Sequence, residues 1–267
     1  MELAGRTALL TGATGGLGRV IARALAGRGA MLSLSARNSG ALEALAAELP
    51  GEGHKVVLAD LAEPGAAERL AADAGDVDIL VANAGLPGTA WLTDFSSEEV
   101  VRALRVNLEA PMLLARALFP AMVERGSGHL VFVSSLSGKS ASPRTSVYNA
   151  TKFGLRGFAL GLRTDLGPRG VGVSLVSPGF IRDAGMFAEA GAKPPPGMGT
   201  ARPEQVGDGV VRAIERDKVE VVVASPQLRL LSHMGMVSPS LAVRAQSGSA
   251  GQKAAKAIAS GHSKDKR

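Results

Sequence analysis

Seven short apolar runs, each separated from the next by a segment with helical character, constrain this chain most. They are "RTALLT" (6–11), "AMLSLSA" (30–36), "HKVVLAD" (54–60), "VDILVANAG" (77–85), "GHLVFVSS" (128–135), "VGVSLVSPG" (171–179) and "VEVVVAS" (219–225). Their near-continuous apolar character predicts strands buried on both faces. Between them lie helical patterns such as "LGRVIARALAGRG", "SGALEALAAELP" and the long "SSEEVVRALRVNLEAPMLLARALFPAMVERG". In the last, Ser96 or Ser97 with the glutamates that follow reads as an N-cap and an acidic first turn. Strand and helix in alternation, with short connections, imply parallel strands joined by right-handed crossovers. The expected fold is α/β, a doubly wound (Rossmann) parallel seven-stranded sheet with helices on both faces. Ligands would bind at the C-terminal ends of its strands.

No internal linker or repeat interrupts this rhythm, so residues 1–246 read as a single domain. One stretch departs from it: "FIRDAGMFAEAGAKPPPGMGTARP" (180–203) is rich in Gly, Pro, Met and Phe and follows the sixth strand. A substrate lid would sit there. The formal net charge of +6 suggests an anionic partner, but five of those charges fall in residues 244–267. Residues 247–267 therefore read as a solvated, disordered basic tail, and no nucleic-acid partner is expected. The 267 residues include no cysteine, which removes disulfides, a thiol nucleophile and zinc–thiolate sites and is compatible with the cytoplasm. No signal peptide is read at the start, and no apolar run approaches 18 residues, so no membrane span is expected.

The segment "TGATGGLG" (11–18) lies between the first strand and the first helix. In that position glycines have distinct uses. Gly12 permits a tight turn, Gly16 lets backbone approach a pyrophosphate, and Gly18 lets helix and strand pack closely. The phosphates would then face the free N–H groups of the helix start. No Gly-Lys-Ser/Thr ending follows, which excludes an NTPase P-loop. NAD-binding folds carry a carboxylate at the end of the second strand to hold the adenosine ribose. Here that position is Ala36, followed by Arg37. A guanidinium would bind a 2′-phosphate with a charge-assisted hydrogen bond of roughly 1.5–3 kcal/mol. The cofactor expected is NADP, with NADPH preferred over NADH.

Tyr148, in "SVYNATKFG", is the only tyrosine in the chain, and Lys152 follows four residues later. On a helix these two share a face. An ammonium about 4 Å from the phenol, at an effective dielectric of roughly 20, would lower the tyrosine pKa by up to about 3 units. That would bring the phenol toward the range useful for proton transfer at neutral pH.

Taken in order, these motifs resemble the short-chain dehydrogenase/reductase family in its compact single-domain form, over about residues 5–225. The glycine pattern Thr11-Gly12-x-x-x-Gly16-Leu17-Gly18 is that family's variant. Asp60-Leu61 matches its adenine-contacting pair, and Asn83-Ala84-Gly85 its Asn-Ala-Gly after the fourth strand. Asn107 matches its helix asparagine, Ser135, Tyr148 and Lys152 its Ser…Tyr-x-x-x-Lys set, and Pro178-Gly179 its Pro-Gly after the sixth strand. The resemblance implies catalytic roles for Asn107, Ser135, Tyr148 and Lys152. Ser135 would position the substrate carbonyl. Lys152 would hydrogen-bond the nicotinamide ribose, and Asn107 would hold a water linking Lys152 to solvent. It also places Thr14, Arg37, Asn38, Pro178, Gly179 and Ile181 against the cofactor. It further implies a homodimer or homotetramer that pairs the helix around residues 97–125 and the helix after Tyr148 across two-fold axes. One position departs from the family pattern. Asp183 stands two residues past Ile181, where a threonine is usual, and would face cofactor phosphates with like charge.

The expected activity is reversible hydride transfer between a nicotinamide and a ketone, aldehyde or secondary alcohol of a moderately apolar small molecule. Leu86, Trp91, Leu136, Phe180, Met186 and Phe187 are candidate pocket walls. A 3-oxoacyl reductase and an NADP(H)-sensing regulator without turnover remain alternatives. A nucleotide-sugar epimerase or dehydratase would need a larger C-terminal domain. The chain has no Gly-x-Ser-x-Gly elbow of a hydrolase and no metal-ligand spacing among its four histidines.

Overall fold

The computed structural model describes residues 1–195 and 197–248, together with 252, 255, 256 and 259. Most of the basic tail lies outside the described residues; within it, Ala255 is buried. Seven parallel strands form one sheet in the order β3-β2-β1-β4-β5-β6-β7. They are β1 Thr7–Thr11, β2 Met31–Ala36, β3 Lys55–Leu58, β4 Ile79–Ala82, β5 Gly128–Val133, β6 Val171–Pro178 and β7 Glu220–Val223. The helices are α1 Gly16–Ala26, α2 Ser39–Glu48, α3 Ala66–Ala74, α4 Ser97–Leu104, α5 Ala110–Glu124, α6 Ser146–Leu166, α7 Gly185–Glu189, α8 Glu204–Glu215, α9 Pro226–Val237 and α10 Pro239–Gln246.

The apolar runs are continuous because successive strand residues feed two separate cores. Ala8, Leu10, Leu32 and Leu34 pack with Ile21 and Leu25 of α1, Leu42 of α2 and Val206 and Val210 of α8. Leu9, Leu80, Leu130 and Phe132 face the other way, onto Leu70 of α3, Leu114 of α5 and Leu155 of α6. The chain order reverses between β1 and β4, which pair directly. This is the switch point at which the strand ends open a crevice.

Residues 97–124 form one 28-residue helix, α4 and α5 joined by a π-helical turn at Arg105–Glu109. Ser96 caps it in a capping box with Glu99. Against the expectation from the sequence, this helix is long and apolar enough by length and composition to cross a membrane. In the fold, Leu114, Leu118 and Met122 of α5 are buried in the core beneath the sheet. The π turn was not legible in the sequence, since a single widened turn leaves the apolar periodicity almost unchanged.

Residues 226–246, which the sequence left without a role, form α9 and α10, each opened by a proline at its first position. Gly235 of α9 closes on Ser140: a Cβ there would lie 2.8 Å from the Ser140 side chain. Gln246 donates to the Ser140 hydroxyl at 2.8 Å. The two helices therefore brace the loop that leads into α6. The lid expected over 180–203 is a loop closed at its base, where Ile181 bridges Ala201 and the Ala201 N–H donates to the Phe180 carbonyl at 2.9 Å. The start of β5 carries His129, at the opposite end of the sheet from the glycine turn. It is buried, hydrogen-bonded to Ser174 at 2.8 Å, and pushed down to about 4 by its burial.

Candidate active site

The glycine turn forms the floor of the crevice between β1 and β4. Gly12 has φ +63°, and a Cβ there would come within 2.9 Å of the Ala84 Cα. A Cβ on Gly18 would lie 2.1 Å from the Gly12 carbonyl oxygen, so α1 can begin only where it does because residue 18 has no side chain. Gly15 caps α1 without a side-chain hydrogen bond, and the first turn contains no acidic residue. The helix start thus offers free N–H groups and a positive dipole end. Thr14 lends its carbonyl to the Arg19 guanidinium at 3.2 Å. Leu17 packs under Gly185 of the lid.

The motif after β4 is spent on the same floor. Asn83 donates from its amide side chain to the Thr11 and Gly12 carbonyls at 3.0 and 3.2 Å. The backbone N–H groups of Asn83 and Ala84 both donate to the Thr11 hydroxyl at 3.0 Å. Asn83 therefore ties β4 to the glycine turn. At the end of β2, Arg37 is exposed and has no partner among the described residues, and Asn38 caps α2 by accepting from the Ala41 N–H at 2.9 Å. Asp60 accepts from the Ala62 N–H at 2.9 Å, and Leu61 is buried. A cradle that a Cβ would fill, an uncapped helix start and a free guanidinium at the β2 end suit a dinucleotide that carries an extra phosphate.

Ser135, Tyr148 and Lys152 meet at the C-terminal end of β5. Ser135 caps a 3-10 turn, Leu136–Gly138, and accepts from the Ser137 N–H at 3.1 Å. The Ser135 hydroxyl also lies close enough to the Tyr148 phenol to favour its ionised form. Lys152 is buried and donates to the Val133 carbonyl at 2.9 Å. Asn107 sits in the π turn, buried. It accepts from the Leu86 N–H at 2.6 Å, donates to the Leu86 carbonyl at 2.9 Å and approaches the Thr151 hydroxyl at 3.5 Å. The Asn107 side chain thus holds the loop after Gly85 against α6. Two contacts in this cluster escaped the sequence reading. One is the clasp on Leu86. The other is Gly88, where a Cβ would press within 3.0 Å of the Tyr148 Cβ.

The electrostatics correct one expectation. The Lys152 ammonium lies 5.7 Å from the Tyr148 ring centroid and points at the Val133 carbonyl. Desolvation pushes the phenol up to about 12, opposed by the Ser135 hydrogen bond. Desolvation likewise pushes Lys152 down to about 8. In the protein alone, burial outweighs the influence of Ser135, and the direction of the Tyr148 shift is upward, not downward.

Over the crevice, Pro178 ends β6 and Gly179 donates to the Val223 carbonyl at 2.9 Å; a Cβ on Gly179 would meet Ala224 and Leu136. Ile181 is buried at the lid's base. The lid then crosses the glycine turn: a Cβ on Gly16 would lie 2.6 Å from the Gly185 nitrogen, and one on Gly85 would lie 3.4 Å from the Met186 methyl. The close approach that Gly16 permits is thus made here by lid backbone. Phe180 and Phe187 stack with centroids 4.6 Å apart. Trp91, expected as a pocket wall, is a surface residue beneath the Arg144 guanidinium, 4.8 Å from its ring centroid. Asp183 is exposed at φ +65° and pairs with Arg182 at 3.6 Å. A cleft of about 620 Å³ between Gly16 and the lid is lined by Arg182, Asp183, Phe187 and Lys193, but not by Ser135, Tyr148 or Lys152.

Comparison with known proteins agrees with this geometry. Residues 6–195 match the profile of the short chain dehydrogenase family. The chain is 34% identical over 248 residues to the ketoacyl reductase HetN of Nostoc sp., covering 89% of this chain and 86% of that protein. Among solved structures, it is similar to a short-chain dehydrogenase from Sphingobium yanoikuyae in complex with NADPH. That match has a TM-score of 0.73 and 28% identity, over 81% of this chain and 87% of the other. A metagenomic short-chain oxidoreductase in complex with NADP gives a TM-score of 0.70 and 32% identity, over 84% of this chain and 98% of the other. With the glycine turn, the Asn-Ala-Gly link and the Ser-Tyr-Lys cluster in place on a seven-stranded parallel sheet, the chain belongs to the short-chain dehydrogenase/reductase family of nicotinamide-dependent oxidoreductases.

Proposed function

We propose that this protein is an NADPH-dependent carbonyl reductase acting on a ketone or aldehyde of moderate apolarity. The observation that carries this reading is the convergence of Ser135, at the C-terminal end of β5, with Tyr148 and the buried Lys152 of α6, which donates to the Val133 carbonyl at 2.9 Å. At neutral pH the Tyr148 phenol holds its proton, the form that can donate. When bound, the nicotinamide supplies the hydride. The carbonyl oxygen would lie between the two hydroxyls, with Ser135 donating a hydrogen bond and Tyr148 giving up its proton as negative charge develops. The buried Lys152 ammonium favours the phenolate that forms, and its other donors are free to hold a ribose hydroxyl. Asn107 fixes the loop after Gly85 through both backbone groups of Leu86, an expected wall residue. A panel of carbonyl substrates with NADPH tests the assignment. If NADPH binds but nothing in the panel is reduced, the sensor reading gains.

A second reading, 3-oxoacyl reduction, is favoured by the name of the Nostoc relative, a ketoacyl reductase. Including a 3-oxoacyl thioester in the panel separates it from reduction of simple ketones.

Preference for NADPH rests on Arg37, free at the end of β2 with no carboxylate at position 36. The two NADP(H) complexes among the similar structures support it. NADPH should bind at least about tenfold tighter than NADH, the worth of one charge-assisted hydrogen bond. Arg37→Ala should remove most of that difference, with NADH affinity unchanged. Calorimetric titration of both nucleotides checks this, and equal affinities in the parent would refute it.

We also propose self-association through the α4–α5 and α6 surfaces. Val101, Leu104, Met112 and Phe153 are large apolar residues left exposed there. Light scattering at micromolar concentration should report a dimer or tetramer, and a monomer would exclude this interface.

A further inference from the structure

The catalytic cluster is assembled from two pieces of chain that no regular hydrogen-bond ladder joins. Ser135 belongs to the turn after β5, whereas Tyr148 and Lys152 belong to α6. A hydroxyl and a phenol that must share one substrate oxygen need their separation fixed from outside, and a buried ionic group outside the cluster spans both pieces. Lys139 ends the Ser135 turn, its N–H donating to the Leu136 carbonyl at 2.9 Å. Its side chain is only 2% exposed, and its ammonium reaches Glu220 at 3.0 Å. Arg156, one helical turn beyond Lys152, reaches the same carboxylate oxygen at 3.5 Å. Ser177 of β6 donates to the other oxygen at 2.8 Å. Glu220, at the start of β7, therefore receives donors from the Ser135 turn, from α6 and from β6. Burial alone would raise the Glu220 carboxyl, but Ser177, Lys139 and Arg156 outweigh it and hold the group below its ordinary value.

The turn and the helix also touch directly beside this group. A Cβ on Gly138 would lie 2.6 Å from the Lys152 carbonyl oxygen, so the turn is seated on the α6 backbone at the catalytic lysine. On the far side, Asn149 donates to the Ser137 carbonyl at 2.7 Å. The turn is thus held at one edge by a neutral amide and at the other by an ionic group. A buried cation is costly unless paired. An apolar residue at 139 would fill the same space without that cost.

We propose that Lys139 and Glu220, with Arg156, act as a positioning clamp that sets the distance between the Ser135 hydroxyl and the Tyr148 phenol. This rests on the reading of Ser135 and Tyr148 as the reacting pair. The polar groups of the clamp are engaged with one another, so its effect should appear in turnover and not in nucleotide binding.

Because Tyr148 is the only tyrosine, biosynthetic replacement of tyrosine by fluorotyrosine gives a single fluorine resonance at the site. In Lys139→Met, which leaves Glu220 paired with Arg156 and Ser177, that line should shift or broaden. Turnover should fall by about 10–100-fold, the scale of a small misplacement of reacting groups. The KM for NADPH should stay within a few fold, and Lys139→Arg should restore both readouts. A folded Lys139→Met protein with an unchanged fluorine line and unchanged turnover would overturn the proposal, leaving the group a matter of stability alone. Should Lys139→Met fail to fold, the apolar double variant Lys139→Met/Glu220→Leu decides. Normal turnover in that variant overturns the clamp, and reduced turnover with NADPH still bound supports it. If the parent reduces no carbonyl compound, the fluorine line still decides the clamp while the proposed activity fails separately.

Discussion

Tyr148→Phe is expected to lower turnover by about 10²–10⁴, the usual contribution of a positioned general acid. The substitution keeps the ring that lies against Gly88 and removes one hydroxyl. Ser135 keeps its hydrogen bond from the Ser137 N–H, so the 3-10 turn has no reason to move. The folded state should change little, because the phenol is neutral in both the folded and the unfolded chain at neutral pH and phenylalanine keeps the packed ring. NADPH affinity should stay within a few fold, since the glycine turn, Arg37 and Lys152 are untouched. What is lost is the phenolic proton proposed to pass to the developing alkoxide. Steady-state kinetics on any substrate the parent reduces, with calorimetric NADPH titration alongside, tests this. Near-normal turnover in the phenylalanine variant would mean that the lone tyrosine is not the donor.

Much of the architecture was legible because the central strands, β1, β4, β5 and β6, are buried on both faces, whereas the edge strand β3 is not. Leu9 faces α5 and α6 while Ala8 and Leu10 face α1, and only a sheet covered on both sides produces that run in the sequence. The placement of the site residues was legible for a different reason. Gly12 and Gly18 leave no room for a Cβ, and Tyr148 and Lys152 are one helical turn apart, so spacing alone brought them together. What escaped depends on long-range contact. The sign of the Tyr148 shift follows from how much water the fold removes from the phenol, and no local pattern encodes that. Lys139 and Glu220 are 81 positions apart and meet only because β7 pairs beside β6. Trp91, expected as a pocket wall, is half-exposed beneath the Arg144 guanidinium, a contact with a residue 53 positions away that no local pattern encodes.

The crossing of the lid over Gly16 connects these features. Its base is tied by Ile181 and Ala201, whereas its tip lies on Gly16, where the glycine motif puts a pyrophosphate, and on Gly85 of the Asn-Ala-Gly motif. Three glycines, Gly185, Gly191 and Gly197, have positive φ within the segment, so its backbone depends on residues that can adopt those conformations. Ala184 and Gly185 lie against Gly16, and Asp183 beside them pairs with Arg182.

Lys152→Met is expected to separate stability from function. The ammonium is buried, and desolvation brings its pKa down to about 8 from 10.5. A lysine whose folded pKa lies below its unfolded value destabilises the fold wherever it is charged in both states. Over this interval the penalty is about 3 kcal/mol. It is present in full below pH 8, and it diminishes between pH 8 and 10.5 as the native protein sheds the proton before the unfolded chain does. Methionine fills similar space without charge, at the cost of one donor to the Val133 carbonyl. The variant should therefore melt higher than the parent at pH 7, and the difference should shrink as pH is raised toward 10. Turnover should move the other way, falling by about 10²–10³, the scale of removing one preorganised donor from a reacting site. NADPH affinity should also weaken. In the parent, kcat/KM for reduction should decline as pH rises through about 8, where the free protein loses the Lys152 charge, and that limb should be missing in the variant. Thermal melts and pH–rate profiles of both proteins measure this. A variant that is less stable at neutral pH yet retains full turnover would show that the lysine is held for packing and that its charge has no part in the reaction.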